Sequence, residues 1–589
     1  LVTVSDWLID LESPYEAKIT YHYYLPEKEL DNYIERIRDI SAEDPNEYWK
    51  EIERKFLRKY RYKRYIGNPE HKNLLDSSDL KKFDFQFLSP IRDVERDLYT
   101  GSNTLLKEVI DFFMDYDVKT NDDLSSEEKK AKIRKNKKDF SNGTKPLIKQ
   151  LHQRMKAGKK EILKYAEKTG ASFDDSKPEF AGKLLDTELY SALKLMVENK
   201  TGIKIPADQN GLGYNNLIYI SLLLAKMQKD ASGDYLGSNA KVYSVLAIEE
   251  PEAHLHPNMQ YLFLKFLNDN QENEVRQTFI TSHSPNITAA VDLDKLIVIN
   301  KIESQVDVSY PAEVFSEDKE DKNSKKYIER FLDVTKSDIF FAKSIIFVEG
   351  ISEQILIPEF AKIMSKNLTD QHISIVNLGG RYFKHFLKLF DTEENDAALT
   401  KKIACITDLD PVRKKDEKKA RWKSCNPFAV GTNENYDYKA CSNDLVGKYE
   451  DEDYHIKVFS QKEKESSTFE YDLLLTNPFN QDLITESMSN KDEVRTIMEN
   501  AKDNSSVEEI LDEIKDNNFK EELKEDISNS DLDEPELKKH IIAARYLDST
   551  SKAEAAQEIA FKLVTDDIEI EIPEYIKEAI RWIYPEQKS

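Results

Sequence analysis

Glycine and proline are scarce, 16 and 19 among 589 residues, which excludes a collagen-like, mucin-like or low-complexity chain. Cysteine is scarcer. Cys405, Cys425 and Cys441 are too few and too widely spaced for a disulfide framework or a zinc ribbon and are expected to be ordinary reduced thiols. No apolar run approaches the roughly 20 residues that cross a bilayer, and no signal-peptide pattern opens the chain. No membrane partner is therefore expected, and a cytoplasmic location is. Positive charge is in deficit as well: 86 Lys plus Arg against 111 Asp plus Glu, a net charge of −25. A field of that sign repels phosphates at long range, so any polyanion must be met by a local basic patch. What is present, 39% hydrophobic and 33% charged residues, describes a helix-rich α/β protein long enough for several structural units.

The chain begins with Leu1, followed by alternating, strand-like text at Leu1–Val4 and Ala17–Tyr24. A charge-rich, mainly helical stretch is predicted from about residue 29 to about 200, and within it 129–138 is a basic run on a solvated helix face. From about Lys241 the texture changes to short apolar strands alternating with helices, at Val242–Ile248, Gln277–Ile280 and Leu296–Asn300. Ser316–Lys326 reads as a polar linker to a second such block, with strands at Ser344–Val348, Ile373–Val376 and Ile403–Thr407. Alternating strands and helices imply parallel sheets covered on both faces. Residues 501–540, with 14 acidic and 6 basic residues, read as solvent-facing helices.

In the first block, the strand Val242–Ile248 ends abruptly in Glu249-Glu250-Pro251-Glu252. The carboxyl end of a strand is where α/β sheets bind ligands, and two carboxylates there can help hold Mg²⁺ and polarise a water. They would equally serve to cap a strand–helix turn. The next strand ends in Thr281-Ser-His283-Ser284. Upstream, Gly211, Gly213 and Asn216 stand at the start of an apolar helix, whose N-terminus suits a phosphate.

In the second block, Ser344–Val348 ends in Glu349-Gly350, and Glu353 follows on the first helical turn, four residues on, so that both can project to one side. Lys402–Thr407 runs into Asp408-Leu409-Asp410, where strand alternation turns both aspartates the same way. Glu470 and Asp472 in Ser467–Leu473 repeat that spacing. Carboxylates gathered at strand ends repel one another unless cations neutralise them, and hard oxygen donors select Mg²⁺ or Mn²⁺. Two such ions about 3.5–4 Å apart would clamp an in-line phosphodiester displacement.

With these residues in place, the sequence resembles the OLD (overcoming lysogenization defect) family of nucleases, an ABC-type ATPase fused to a Toprim domain. The resemblance implies an α/β fold: an ATPase head over 1–335 with a helical, dimerising insertion at about 100–200, a Toprim core over 336–480, and helical additions over 481–589. It places Asn210–Asn216 at the signature motif, Glu249 at the Walker B metal position, Glu250 as the catalytic glutamate and His283 as the switch histidine. Glu349, Glu353, Asp408, Asp410, Glu470 and Asp472 become the two-metal site, and Lys552, in Lys552–Gln557, matches a family lysine that stabilises charge on the phosphate. ATP with Mg²⁺ is the implied second cofactor. No G-x-x-x-x-G-K-[ST] occurs in the sequence; the expectation is that the phosphate loop belongs to an N-terminal segment not shown here.

The function expected is an ATP-regulated, metal-dependent DNA endonuclease, in antiphage defence by resemblance. The alternative is a non-cleaving, ATP-switched DNA clamp or scaffold. DNA contact is expected from the basic run after the D-x-D motif: Arg413, Lys414, Lys415, Lys418, Lys419 and Arg421. Arg58–Arg64 interleaves basic and aromatic residues and reads either as a DNA contact or as an ordinary amphipathic surface. Family resemblance adds a homodimer or larger homo-oligomer, and a UvrD-like helicase or a retron reverse transcriptase with its nucleic acid as partners.

Overall fold

The computed structural model describes residues 2–585 apart from 11, 14, 41–44, 90–104, 122, 157, 161–194, 199, 232–239, 254, 272–276, 303–304, 334, 416–420, 441–444, 450–453, 504 and 566–567. The chain divides into two units, Leu1–Ser282 and His283–Ser589.

In the first unit, β1 (Ile19–Tyr24) and β2 (Arg61–Ile66) form an antiparallel ribbon. A parallel sheet is built from β3 (Phe83–Leu88), β6 (Tyr243–Glu249) and β7 (Gln277–Thr281) in the order β3-β6-β7. Between them in sequence, β4 (Met196–Glu198) and β5 (Lys204–Pro206) pair antiparallel. The helix Leu212–Ala231 lays Ile220, Leu223, Leu224 and Met227 against the sheet, the i, i+3, i+4, i+7 spacing of one helix face. Leu88, Leu246 and Ile248 meet them from the strands. Phe85, Phe87 and Phe279 stand exposed.

In the second unit, β8 (Val298–Ile302) and β9 (Gln305–Ser309) form an antiparallel hairpin. The main sheet is wholly parallel: β10 (Ser344–Val348), β11 (Ile373–Asn377), β12 (Lys402–Ile406) and β16 (Ile456–Phe459), in the order β11-β10-β12-β16. A small antiparallel sheet of β13 (Val412–Lys415), β14 (Lys423–Ser424) and β15 (Tyr436–Lys439) branches from the end of β12. Side-chain alternation splits the core cleanly. Ile346, Val348, Ala404 and Ile406 pack into one cluster with the helices Ile351–Ile363, Phe469–Thr476, Glu534–Ser549, Lys552–Thr565 and Glu574–Ile583. Ile345, Phe347, Ile403 and Cys405 pack into the other, against Phe386 and Phe390. Both faces of the strands are therefore covered, as a parallel sheet requires. The chain crosses from β10 to β11 on one side and then to β12 on the other, which opens a crevice at the carboxyl ends of β10 and β12.

Several sequence expectations are corrected. Val2–Trp7 is a 3-10 helix, not a strand; Trp7 stacks on Phe83, ring centroids 5.3 Å apart, and that packing overrides the local β propensity. The stretch 29–200 is not only helical, because β2 and β3 lie in it and β3 enters the parallel sheet. Ser316–Lys326 is not a linker: Asp318 caps a helix over Lys319–Phe331, accepting from the backbone of Glu320 and Asp321, and Ser324 and Ile328 are buried. The strand expected at Leu296–Asn300 forms in the hairpin and not in a parallel sheet. The helices within 501–540 bury Ile510, Leu511 and Leu523 beneath their acidic faces. No described helix is long and apolar enough to cross a membrane.

Candidate active site

Register brings the second unit's acids together. Val348 pairs with Ile406, so Glu349 and the Thr407-Asp408 step emerge side by side. Glu349 Oε1 accepts from the Thr407 hydroxyl and, at 3.2 Å, from the Asp408 backbone N–H. Gly350 then turns the chain into the helix Ile351–Ile363. Its φ is −133°, so it supplies space rather than an unusual dihedral: a Cβ there would stand 2.9 Å from Glu353 Oε2. Glu353 lies in the first turn of that helix and is buried.

Asp408 and Asp410 do not sit on the strand as alternation predicts. β12 ends at Ile406, and both aspartates lie in the following loop. Leu409 is buried as expected, and its N–H and that of Asp410 both bond the Ser467 carbonyl at 3.1 Å. Asp410 takes a left-handed backbone, φ 41°, a conformation in which Asp is tolerated better than most residues. Asp408 points inward and accepts from Gln461 Nε2 at 2.7 Å, while the same amide is 3.0 Å from the Tyr575 hydroxyl. Asp410 points outward, 2.7 Å from Arg381 NH2, and Arg381 Nε is 3.8 Å from Glu349.

Glu470 and Asp472 are on a helix, Phe469–Thr476, capped by Thr468, not on a strand. Two residues on a helix are separated by about 200°, so the pair diverges. Glu470 is buried toward Ser352, whose hydroxyl is 2.9 Å from its Oε1, and Lys552 Nζ is 2.8 Å from its Oε2. Asp472 instead faces the turn holding Ser466, Glu465 and Lys462. Lys552 opens the helix Lys552–Thr565.

Burial and the charge of neighbouring carboxylates raise Glu349, Glu353 and Asp408. Burial pushes Glu353 up to about 7, with Glu470 the next cause. Asp408 rises well above the aspartate range, by burial and then by Glu353 and Glu470. Glu349 is raised by burial, less so because Thr407 and the Asp408 N–H bond its charged form. Burial, with a smaller push from the Glu465 charge, raises Asp472 to about 6 against the pull of Ser466 and Lys462. Burial acts to lower the Lys552 ammonium, but Glu470, with Asp408 and Glu353, outweighs it and the pKa is raised. Among the described residues no three His, Cys, Asp or Glu side chains are close enough together to enclose a metal ion. In type the donor set fits a hard divalent cation: oxygen only, buried, mutually repelling.

Sequence reasoning passed over Ser352, Thr407, Gln461 and Tyr575. Gln461 follows β16, a strand whose alternating text Ile456-Lys-Val-Phe459 was the available signal. In the basic run, Arg413 is turned inward onto Asp526, which also accepts from Asn426 Nδ2 at 2.8 Å, and its guanidinium lies over the Tyr436 ring. Lys415 and Arg421 are exposed and Lys414 half-buried; Lys418 and Lys419 lie outside the described residues.

In the first unit, Glu249 ends β6 and Glu250 takes a left-handed backbone, φ 42°. The Glu250 N–H bonds the Thr281 carbonyl at 3.0 Å, and Ser282 donates to Glu252 at 2.9 Å. Gly211 immediately precedes the helix Leu212–Ala231, Gly213 is its second residue, and Asn216 is buried in its first turns. His283 stands at the start of the second unit.

Residues 7–288 match the family described as AAA ATPase domain, and residues 340–410 match the TOPRIM domain of overcoming lysogenization defect protein-like proteins. The endonuclease GajA of Bacillus cereus (strain HuB5-5) is 27% identical over 413 residues, 65% of this chain and 54% of that protein. The OLD nuclease of Thermus scotoductus is 26% identical over 197 residues, 33% of this chain and 34% of that protein. The chain thus spans about half the length, or less, of these curated relatives. The solved C-terminal region of the Burkholderia pseudomallei OLD protein is 21% identical, with 41% of this chain and 98% of that one covered and a TM-score of 0.24.

Proposed function

We propose that this chain, an AAA ATPase domain followed by an OLD-like TOPRIM domain and homologous to GajA and the OLD nuclease, is a metal-dependent DNA endonuclease whose cleavage is regulated by ATP. The observation that carries the reading is the crevice between β10 and β12, where Glu349, Glu353, Asp408 and Glu470 are drawn together by three separate segments of the fold. Carboxylates raised by burial and by neighbouring charge, as Glu353 and Asp408 are, recur at catalytic centres.

Glu349, Glu353, Asp408, Asp410 and Glu470 would hold Mg²⁺ or Mn²⁺, and Asp472, directed elsewhere, would act from outside that group. Cations bound there supply an activated water and charge neutralisation at the leaving oxygen. The chain's own groups do the rest. Gln461 fixes the Asp408 carboxylate, Thr407 fixes Glu349, and Ser352 fixes Glu470. Lys552 and Arg381 are cations at the rim, placed to meet a phosphate as charge builds on it. Lys414, Lys415 and Arg421 would track the DNA backbone. In the ATPase unit, Glu249 and Glu250 would serve the nucleotide's metal and water, with Gly211, Gly213, Asn216 and His283 contacting nucleotide between paired copies. A homodimer and a role in antiphage defence belong to this reading through the family resemblance.

The test is nicking of supercoiled plasmid with Mg²⁺ or Mn²⁺, with and without ATP, by the wild type and by Asp408→Ala. Metal-dependent relaxation lost in the variant is the expected result, and its change with ATP gives the sign of regulation. Plasmid left intact while ATP still alters DNA binding would sink the nuclease reading in favour of a non-cleaving clamp.

A further inference from the structure

The β1–β2 ribbon carries a surface that the nuclease reading does not use. Its register sets Tyr21 directly opposite Arg64 and Tyr23 opposite Tyr62, and directly paired residues share one face of a ribbon. On that face Tyr21 stacks on Tyr62, with centroids 5.5 Å apart and planes 17° from parallel. Tyr23 stacks on Tyr60 at 5.0 Å and 21°. The Arg64 guanidinium lies 5.5 Å from the centre of the Tyr62 ring. Despite this stacking, Tyr21, Tyr23 and Tyr62 are 59%, 49% and 57% exposed. Arg61 and Lys63 are exposed on β2, where strand alternation turns them to the opposite face of the ribbon.

Cross-strand aromatic pairing by itself would explain one stack. It does not explain five basic residues and no acidic one in Arg58–Arg64, within a chain of net charge −25. Among the described residues, Lys59 pairs with Glu29 at 2.7 Å, whereas Arg61, Lys63 and Arg64 form no ion pair with a carboxylate. Flat, half-exposed rings with the Arg64 guanidinium on the same face suit bases that are free to stack on them, whereas cations alone would suffice for a duplex backbone.

We propose that this ribbon is a second DNA contact, a stacking platform for the unpaired bases of single-stranded DNA. It rests on the reading of the chain as a protein that acts on DNA, and it adds a preference for unpaired strand that the carboxylate site does not imply.

The test is fluorescence anisotropy of the full chain in EDTA, with a labelled mixed-sequence single strand and with the same sequence as a duplex. Tyr21→Ala/Tyr62→Ala is expected to weaken single-strand binding by about ten- to a hundredfold and duplex binding by less than about threefold, since each stacked base contributes separately. Tyr21→Phe/Tyr62→Phe, which keeps the rings, is expected to bind like the wild type. Unchanged single-strand affinity in the alanine pair, or equal loss for single strand and duplex, overturns the proposal. Should the alanine pair fail to fold by circular dichroism, Arg64→Glu decides: loss of single-strand affinity supports the platform and retention overturns it. Plasmid cleavage measured in parallel separates the two readings. Intact cleavage with unchanged strand binding removes the platform alone, and absent cleavage with ring-dependent strand binding removes the nuclease alone.

Discussion

Lys552 Nζ lies 2.8 Å from Glu470 Oε2, and the Ser352 hydroxyl stands within hydrogen-bond distance of both residues, 2.9 Å from Glu470 Oε1 and 3.2 Å from the Lys552 carbonyl. Three helices that begin 200 residues apart in sequence are pinned at one point. Lys552→Ala is expected to lower metal-dependent nicking by about 10²- to 10³-fold, the usual loss for one charge-stabilising donor. The half-exposed ion pair itself contributes at most about 1 kcal/mol, so the melting temperature should move by only a few degrees. Single-turnover nicking and a thermal melt on the same preparation check both.

The buried acids predict how metal-free protein responds to pH. Burial pushes Glu353 up to about 7 in the fold, above the ordinary glutamate value, so between those values the native state holds more protons than the unfolded chain. Stability therefore falls as pH rises through that window and levels off above 7, by on the order of 3 kcal/mol from this group. Asp408 acts in the same direction. Melting in EDTA should drop from pH 5 to pH 8, and Mg²⁺ should restore it at pH 8. Glu353→Gln should flatten the profile; an unaltered slope in that variant would contradict the assignment.

Arg413 separates a packing role from a DNA role. It is turned onto buried Asp526 beneath the Tyr436 ring, and removing one partner of a buried pair costs roughly 3–5 kcal/mol. Arg413→Ala is expected to lower the urea midpoint, with little change in the salt dependence of DNA binding. Lys414→Ala/Lys415→Ala/Arg421→Ala should do the reverse, leaving the midpoint in place and shallowing the salt slope.

Much of this was legible in the chain and some was not, for identifiable reasons. The strands leading to Glu249, Glu349 and Asp408 are continuous apolar runs ending in acid, a pattern that survives without tertiary information. Glu470 and Asp472 mimic D-x-D spacing, but Thr468 accepts from the Tyr471 N–H and starts a helix, and a two-residue spacing means opposite directions there. Gln461 and Tyr575, which hold Asp408, are 114 residues apart; no local signal links them. β3 was hidden because Asp84 and Gln86 interrupt its apolar side, and they bond each other at 2.6 Å within the covered face.

Glu250 and Asp410 share a left-handed backbone, φ 42° and 41°, each just beyond a parallel strand. Such a conformation costs an L-residue roughly 1–2 kcal/mol. Glu250→Gly should gain stability by about 0.5–1 kcal/mol, while losing any ATP hydrolysis that depends on the carboxylate. Glu250→Ala, which keeps the strain, should lose hydrolysis without the gain. Urea midpoints and phosphate release distinguish them.

The helix Glu574–Ile583 supplies Tyr575 to the amide that holds Asp408 and Trp582 to the underside of β12. A ribosome delivers Glu349, Asp408 and Glu470 long before it delivers that helix. A nascent or truncated chain thus carries every acid of the site and Gln461, but not the hydroxyl that accepts from the Gln461 amide, and that brace is completed only when translation of the domain is nearly over.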